Sequence, residues 1–372
     1  MFWRLHLRAF FRRNTVLCIA LLAAVVTSFL VPPDAEYLSY FDWKTLACLF
    51  CVLAVVCALK NIRFFYALAQ GIVRRFRTMR SCVLALVYIT FIGSMLIAND
   101  MALLTFLPLG FLVLETTGKR RYMAFTFIMQ NIAANLGGML TPFGNPQNLY
   151  LYSYFNIPDG EFLSIMAPPF ALAIVLITVC CFVMVRPEPL ELPEERVELD
   201  RNKVILYMLL FALSIAIVFR GIPYWIGLVV IPVVLWFVDR RALMLVDYPL
   251  LFTFMAFFVF AGNLSRLPAV HALLSHLLSR NTLLFSVLSC QCISNVPTAV
   301  LLSRFTTAYP SLLIGVNIGG AGTLIASLAS LITYNEYGKH DKEGKRRYLL
   351  LFSGFNFSFL LILLFFSALL GY

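Results

Sequence analysis

Four short polar stretches interrupt the apolar sequence of this chain, and their residue types could bind ions or small solutes. Two have a central asparagine, Asn99 within 98–100 and Asn295 within 294–297. The other two combine Asn, Gly-Gly and Thr, in 135–141 and 317–323. Amides and hydroxyls supply neutral donors and acceptors, and carbonyls freed where a helix breaks coordinate cations. The candidate binding residues are Asn99, Asp100, Asn135, Gly137, Gly138, Thr141, Asn145, Asn148, Ser294, Asn295, Asn317, Gly319, Gly320 and Thr323.

Asp100 is the carboxylate that the sequence places well inside an apolar region. An ionisable side chain inside a membrane is costly, so it is a functional hypothesis by default. Asp100 could carry a proton or bind a coupling cation, with sodium expected near Asn99, Asp100 and Asn295. The structural alternative is a buried carboxylate that caps the helix from Met101 onward, and the two roles are compatible.

Composition places the chain in a membrane. Of its 372 residues, 61% are hydrophobic and 13% are charged, against roughly 45–50% and about 25% in soluble domains. The apolar residues form blocks of about 17–25, the length that spans a hydrocarbon core. The net charge of +11 could suggest nucleic acid, but basic residues in membrane proteins mark the cytoplasmic side. Binding of nucleic acid is therefore not expected.

The apolar blocks predict an all-α polytopic protein with about nine crossings and two re-entrant hairpins. Each hairpin, 82–115 and 282–306, is a short apolar run, a polar tip and a second short run. The first block exceeds an ordinary signal-peptide core and stops at Pro32-Pro33, which favours a retained span. The predicted crossings are 14–31, 43–60, 122–156, 164–185, 203–220, 224–239, 247–264, 309–335 and 348–370, of which 122–156 and 309–335 are broken.

The distribution of basic residues predicts the orientation. With the N-terminus in the cytoplasm and the C-terminus outside, the inner segments hold 24 of the 29 Lys and Arg residues. We expect a multi-pass protein of the inner (plasma) membrane. Basic and apolar residues mix in 61–80, which indicates a helix lying in the inner interface, with an outer counterpart at 266–280.

The polar stretches recur in order, which predicts two inverted repeats. Residues 1–185 form the first repeat, 186–203 a cytoplasmic linker, 204–222 a connecting helix and 223–372 the second repeat. Inverted repeats with matching broken helices point to a transport site. Gly-Gly pairs could instead only allow close helix packing.

The chain resembles the ion transporter superfamily in its citrate/arsenite permease branch, and more distantly the divalent anion:sodium symporters. This resemblance implies hairpins that meet at mid-membrane, a mobile domain with elevator-like movement, and a scaffold that commonly dimerises. In the symporters, tips with Ser-Asn-Thr bind sodium and carboxylate. Ser294 and Asn295 match the first two positions of one tip, and Asn99 matches the second position of the other. The motifs are 98–100 with 103–106, 135–148, 294–297 and 317–330.

The Asn99-Asp100 tip is more similar to arsenite permeases, for which proton coupling is expected. The sequence therefore predicts a secondary transporter for a small anion or oxyacid, coupled to protons or sodium, without a cofactor and forming a homodimer. A sodium/proton antiporter on the same scaffold is the alternative. A membrane-embedded enzyme is disfavoured because H-E-x-x-H and G-x-S-x-G motifs are lacking. An assembly protein would not explain two costly polar breaks.

Overall fold

The computed structural model describes residues 14–190 and 199–372, and it is helical throughout these ranges apart from short connections. Seventeen α-helices follow one another along the described chain. They are α1 Thr15–Leu30, α2 Trp43–Asn61, α3 Phe64–Val73, α4 Met79–Ile97, α5 Asn99–Thr116, α6 Met123–Gly137, α7 Pro146–Tyr154, α8 Asp159–Met184, α9 Arg201–Val218, α10 Tyr224–Val238, α11 Arg240–Met244, α12 Tyr248–Ser265, α13 Pro268–Ile293, α14 Asn295–Leu302, α15 Tyr309–Ile318, α16 Leu328–His340 and α17 Lys345–Leu369.

Seven helices of the described chain are long and apolar enough to cross a membrane: α2, α4, α5, α8, α9, α12 and α17. Helices α1, α3, α10 and α15 are apolar but shorter. The prediction of an all-α polytopic membrane protein is therefore confirmed.

Hairpin 1, formed by α4 and α5, turns at Ala98 and packs its two arms side by side. The arms contain 19 and 18 residues, so each is about 28 Å long, close to the hydrocarbon thickness. The prediction that both arms are short was wrong for this hairpin. The helix continues past the expected ends because Thr78 caps α4 and α5 runs through Pro108 to Thr116.

Hairpin 2 is shorter, and it begins inside α13. Asn281 has an extended backbone (φ −162°, ψ 91°) that separates the predicted outer amphipathic segment from the first arm, 282–293. The Oδ1 atom of Asn281 accepts a hydrogen bond from the Leu284 amide at 2.7 Å, which caps that arm. The second arm, α14, has only 8 residues.

Both expected helix breaks are present. Helix α6 ends at Gly137, a 3₁₀ turn covers Gly138–Leu140, and α7 begins at Pro146. Helix α15 ends at Ile318 and α16 begins at Leu328. Helix α16 then extends past the predicted boundary at 335 to His340.

The packing of the helices is reciprocal between the two halves of the chain. Helix α1 packs against α12, and α10 packs against α2, so the first helix of each half lies on the second helix of the other. Hairpin 1 packs against α6 and α16, and hairpin 2 against α15 and α7. This reciprocal pattern agrees with two equivalent halves, and their opposite orientation in the membrane stays a prediction.

The described start of the linker is fixed to the base of hairpin 1. The amide of Met79 donates to the carbonyl of Glu188 at 2.7 Å. The Glu188 carboxylate pairs with Lys119 at 2.6 Å and accepts from Tyr122 at 2.9 Å. The bond from Lys119 is the main reason that the pKa of Glu188 falls to about 2. Residues 191–198 of the predicted linker, and the basic segment 1–13, lie outside the described residues.

Candidate functional site

The tips of the two hairpins have the same backbone conformation. Ala98 has φ 63° and ψ 151°, and Ser294 has φ 74° and ψ 159°. This region is almost reserved for glycine and costs of order 1–3 kcal/mol elsewhere. In each tip the next residue is the asparagine, and its Oδ1 accepts from the following amide at 2.9 Å. The same strained backbone conformation at both tips indicates that the two hairpins are structurally equivalent at this point.

Each helix break is tied to the hairpin of its own half in the same way. The hydroxyl of Thr141 donates to the carbonyl of Met95 at 2.8 Å. The hydroxyl of Thr323 donates to the carbonyl of Gln291 at 3.2 Å. Met95 and Gln291 each lie three residues before the tip residue, Ala98 or Ser294. The predicted equivalence of the two threonines therefore holds in their contacts.

The two breaks are also joined across the centre of the molecule. Asn145, which precedes α7, donates to Oδ1 of Asn317 at 3.3 Å. Ser327, which precedes α16, donates to Oδ1 of Asn135 at 2.8 Å. Each residue at the start of the second half-helix thus contacts the asparagine at the end of the first half-helix in the other repeat.

Both tips lie against this centre. Asn99 donates to Oδ1 of Asn135 at 3.2 Å, and the amide of Asn295 donates to the carbonyl of Ala326 at 3.0 Å. A methyl group built on Gly320 would lie 3.2 Å from Nδ2 of Asn295 and 3.5 Å from Oδ1 of Asn135. The structure therefore brings together tip and break residues that the sequence singled out. The five asparagines involved are all buried: Asn99, Asn135, Asn145, Asn295 and Asn317.

The sequence left open whether the glycine pairs belong to a binding site or only allow close helix packing, and both occur. A Cβ on Gly137 would lie 2.2 Å from the carbonyl oxygen of Phe91, so this glycine lets α6 pack closely on α4. Gly319 likewise faces Cys290 of α13. The second glycines, Gly138 and Gly320, face Asn145 and Asn295 instead. The first glycine of each pair serves packing, and the second lies beside polar groups of the site.

Asp100 lies in the first turn of α5, where a carboxylate favours the positive end of the helix dipole. The residue before α5 is Ala98, and no side chain caps this helix. The capping role considered for Asp100 is therefore not seen. Its Oδ1 is buried and has no hydrogen-bond partner among the described residues. An unpaired buried acceptor is costly unless a proton, cation or donor reaches it.

Further amide oxygens at the centre also lack partners within the described chain. These atoms are Oδ1 of Asn145 and Oε1 of Gln147, both in fully buried residues. Hard cations prefer such carbonyl and carboxylate oxygens. No three His, Cys, Asp or Glu side chains of residues 14–190 and 199–372 form a group that could hold a metal. The donor set therefore fits an alkali cation or a hydrogen-bonding solute better than a transition metal.

Sequence reasoning missed several polar residues that hold the site. Gln291 donates to the carbonyl of Gly319 at 2.8 Å and accepts from the amide of Thr323 at 2.8 Å, which shapes the second break. Asn131 donates to Asn356 of α17 at 3.3 Å, one helical turn before Asn135. A polar residue one turn from a candidate site residue, on an otherwise apolar helix, is the signal that could have found Asn131.

Lys60, in the last turn of α2, lies beside hairpin 1. Its Nζ is 3.9 Å from the sulfur of Met101, one residue after Asp100. The lysine forms no ion pair with a described acidic residue. It places a positive charge near the first tip.

The described chain is helical and polytopic, and its two polar tips meet two helix breaks, an arrangement that is typical of membrane transporters. Comparison with known families gives the particular group, since residues 3–310 match the family model described as citrate transporter. The chain belongs to this family, which confirms the resemblance noted from the motifs.

Two relatives are similar over most of their length. An uncharacterized transporter of Methanocaldococcus jannaschii is 30% identical over 302 residues, which is 80% of this chain and 82% of the relative. The inner membrane protein YbiR of Escherichia coli is 31% identical over 328 residues, 84% of this chain and 85% of the relative. A Mycobacterium tuberculosis protein named as an uncharacterized transporter is 29% identical over 42% of this chain. The two relatives that are named as transporters agree with a transport function for the family.

Proposed function

We propose that the protein is a secondary active transporter that moves a small anion or oxyacid across the inner membrane, coupled to protons or sodium. The observation that carries this proposal is the meeting of two strained asparagine tips with two helix breaks around Asn135. Unpaired main chain deep in a membrane protein is tolerated where it is buried in protein or lines a wet cavity. A protein with only a structural role would have no need for two polar tips and two helix breaks of this kind.

The N-termini of four helices lie at the site, where their positive dipole ends could bind an anion. Helices α5 and α14 begin at the tips, and α7 and α16 begin just after the breaks. The positive ends of these helix dipoles favour anionic groups. The buried amide nitrogens of Asn99 and Asn295 add neutral donors. This donor set suits a carboxylate or an oxyanion such as arsenite or sulfate.

The coupling ion is assigned to the Asp100 side of the site. Its unpaired Oδ1 can take a proton or, with amide oxygens near Asn99 and Asn295, a sodium ion. The equivalent position of the second tip is Val296, which can do neither. Transport would therefore be coupled to the ion through the first tip only.

The packing suggests which parts move. Helices α1, α2, α10 and α12 pack on one another as a scaffold, and the hairpins pack on the broken helices as a second unit. An elevator-like movement would shift the second unit against the scaffold, and the scaffold is where a homodimer would form. The N-terminus is proposed to lie in the cytoplasm, as the distribution of basic residues indicates.

Exchange of one carboxylate tests the coupling. In proteoliposomes, Asp100→Asn should abolish ion-driven transport while the protein stays folded, because it removes the one charge at the tip. Val296→Asn places the same amide at the matching position of the other tip, and it should keep transport within a few-fold of the wild type. Uptake by Asp100→Asn that still follows an imposed ion gradient would contradict the role of Asp100.

The substrate class is tested by thermal shift. Citrate, succinate, sulfate, arsenite and sodium are compared at two pH values, since a ligand that binds only the folded protein raises its unfolding midpoint. A shift with one of the anions supports the proposal. The unpaired oxygen of Asp100 also fits a sodium/proton antiporter. Proton movement driven by sodium alone, with no anion present, would favour that second function.

A further inference from the structure

An apolar cavity lies beside the amphipathic helix α3, away from the polar centre. It has a volume of about 140 Å³, and side chains of α2, α3, α4, α5 and α9 line it. Its lining is almost wholly apolar. Cavities of similar size lined by aliphatic and aromatic side chains stay dry and accept apolar ligands (about 150 Å³ in a well-studied example). Water is therefore a poor occupant.

The mouth of the cavity faces outward from the protein. Leu68 and Ile92 line it and are each 54% exposed, and Leu96 is 38% exposed. In a membrane-spanning protein such side chains contact lipid. A hydrocarbon chain of the bilayer can therefore enter the cavity without leaving the membrane.

Arginines flank the cavity at both ends of α3. Phe64 and Ile72 line it, and Arg63 directly precedes the first while Arg74 and Arg75 follow the second by two and three residues. The segment 61–80 contains no Asp or Glu.

None of Arg63, Arg74, Arg75 and Arg77 has an ion pair or side-chain hydrogen bond with another described residue. One guanidinium nitrogen of Arg74 is buried and has no partner in that part of the chain. Guanidinium groups form bidentate bonds with phosphate, and the unpaired nitrogen of Arg74 is a donor that such an anion can occupy.

We infer that this cavity and its arginines form a site for one anionic phospholipid. An acyl chain fills the cavity and the phosphate headgroup is bound by Arg74 and Arg75. Basic pockets between membrane helices bind anionic headgroups in this way. Because the cavity lies between α2 and α9 on one side and hairpin 1 on the other, the lipid fills the space between two packed units. This inference does not depend on what is transported.

Native mass spectrometry of the full chain in detergent tests the site. Phosphatidylglycerol is compared with phosphatidylcholine of identical acyl chains, with glycerol phosphate and with inorganic phosphate. We expect one tightly retained phosphatidylglycerol, at least tenfold weaker binding of phosphatidylcholine, and no retention of the two chain-free phosphates. Equal retention of the neutral lipid, or retention of phosphate alone, would overturn the proposal.

Variants distinguish the contribution of the lipid headgroup to binding from that of the acyl chain. Arg74→Gln/Arg75→Gln should weaken phosphatidylglycerol about 25-fold, at about fivefold for each basic residue near the surface. Arg346→Gln/Arg347→Gln removes an adjacent, exposed pair of arginines on α17, a helix that does not line the cavity, and should change binding less than twofold. Ala69→Phe fills the cavity from a fully buried position and should weaken binding at least tenfold. Unchanged binding in both the Arg74→Gln/Arg75→Gln and Ala69→Phe proteins would refute the site, and gel filtration checks that both remain folded.

Discussion

The two halves of the centre share a backbone design but differ in side-chain chemistry. Both tips have the same strained conformation, and both breaks bond to their hairpins through a threonine. The first tip has Asp100 where the second has Val296. The first break is held from within by Asn148, whereas the second is held by Gln291 of the neighbouring hairpin. The two halves therefore share their backbone conformation and differ in a few side chains at the tips and breaks.

The largest effect should come from the side chain that holds the first break. Asn148 is fully buried, donates to the carbonyls of Gly138, Met139 and Thr141, and accepts from Asn317 at 2.6 Å. Asn148→Ala leaves several buried polar groups unpaired, so we expect a loss of about 4 kcal/mol in folding free energy.

The matched change in the second half is Gln291→Ala, with an expected loss of about 1.5 kcal/mol because Gln291 is only half buried and water can replace its bonds. Chemical denaturation in detergent micelles measures both variants. Equal losses of folding free energy would contradict the claim that Asn148 holds the first break more strongly than Gln291 holds the second.

A smaller effect should distinguish the second glycines of the two breaks. A Cβ on Gly138 would lie 2.4 Å from Oδ1 of Asn145 and 2.9 Å from the carbonyl of Gly144, while on Gly320 the nearest atom is 3.2 Å away. Gly138→Ala should therefore cost about 2–3 kcal/mol through overpacking, and Gly320→Ala less than about 1 kcal/mol. Thermal unfolding followed by intrinsic fluorescence compares the two proteins. A larger loss of stability for Gly320→Ala would contradict the conclusion that Gly138 has less space for a Cβ than Gly320.

The smallest effect concerns what the tips share. Ala98→Gly should stabilise the fold by about 1 kcal/mol, because glycine relieves the positive-φ strain and loses part of that gain as unfolded-chain entropy. Ser294→Gly should stabilise it less, because it also loses the hydroxyl's hydrogen bonds to the carbonyl of Ala326 at 3.2 Å and to Oδ1 of Asn295 at 3.3 Å. Ala102→Gly, in the regular part of α5, is the control and should destabilise by about 1 kcal/mol. Unfolding midpoints measure all three, and no gain for Ala98→Gly would contradict the strain assigned to the tips.

The sequence was sufficient for the all-helical polytopic class, the tips and the breaks, because each leaves a local signal. Apolar blocks of membrane length are separated by charges, and Gly, Pro and Asn mark the interruptions. The amides at 135, 145 and 317 could also be chosen from their position beside these interruptions. Their partners could not, since the bond from Asn145 to Asn317 joins residues far apart in the chain.

The arms of hairpin 1 show a second limit of sequence reasoning. Their apolar runs were judged by where charges begin, yet helix α4 starts at Met79, before Arg80, because Thr78 caps it. Gln291 was missed for a related reason: a single polar residue in an apolar arm has many roles, and only the fold places it beside Gly319.

The unequal hairpins bear on the proposed elevator-like movement. If the tips lie at the bilayer midplane, arms of about 28 Å would place the charged base of hairpin 1 about 13 Å beyond the hydrocarbon edge, whereas the 12-residue first arm of hairpin 2 would reach only about 3 Å beyond it. In that movement Lys119 and Arg121, both bonded to Glu188, would have more clearance from the lipid tails than Arg280 at the opposite base. We therefore expect the proposed stroke from this conformation to be longer in one direction than in the other.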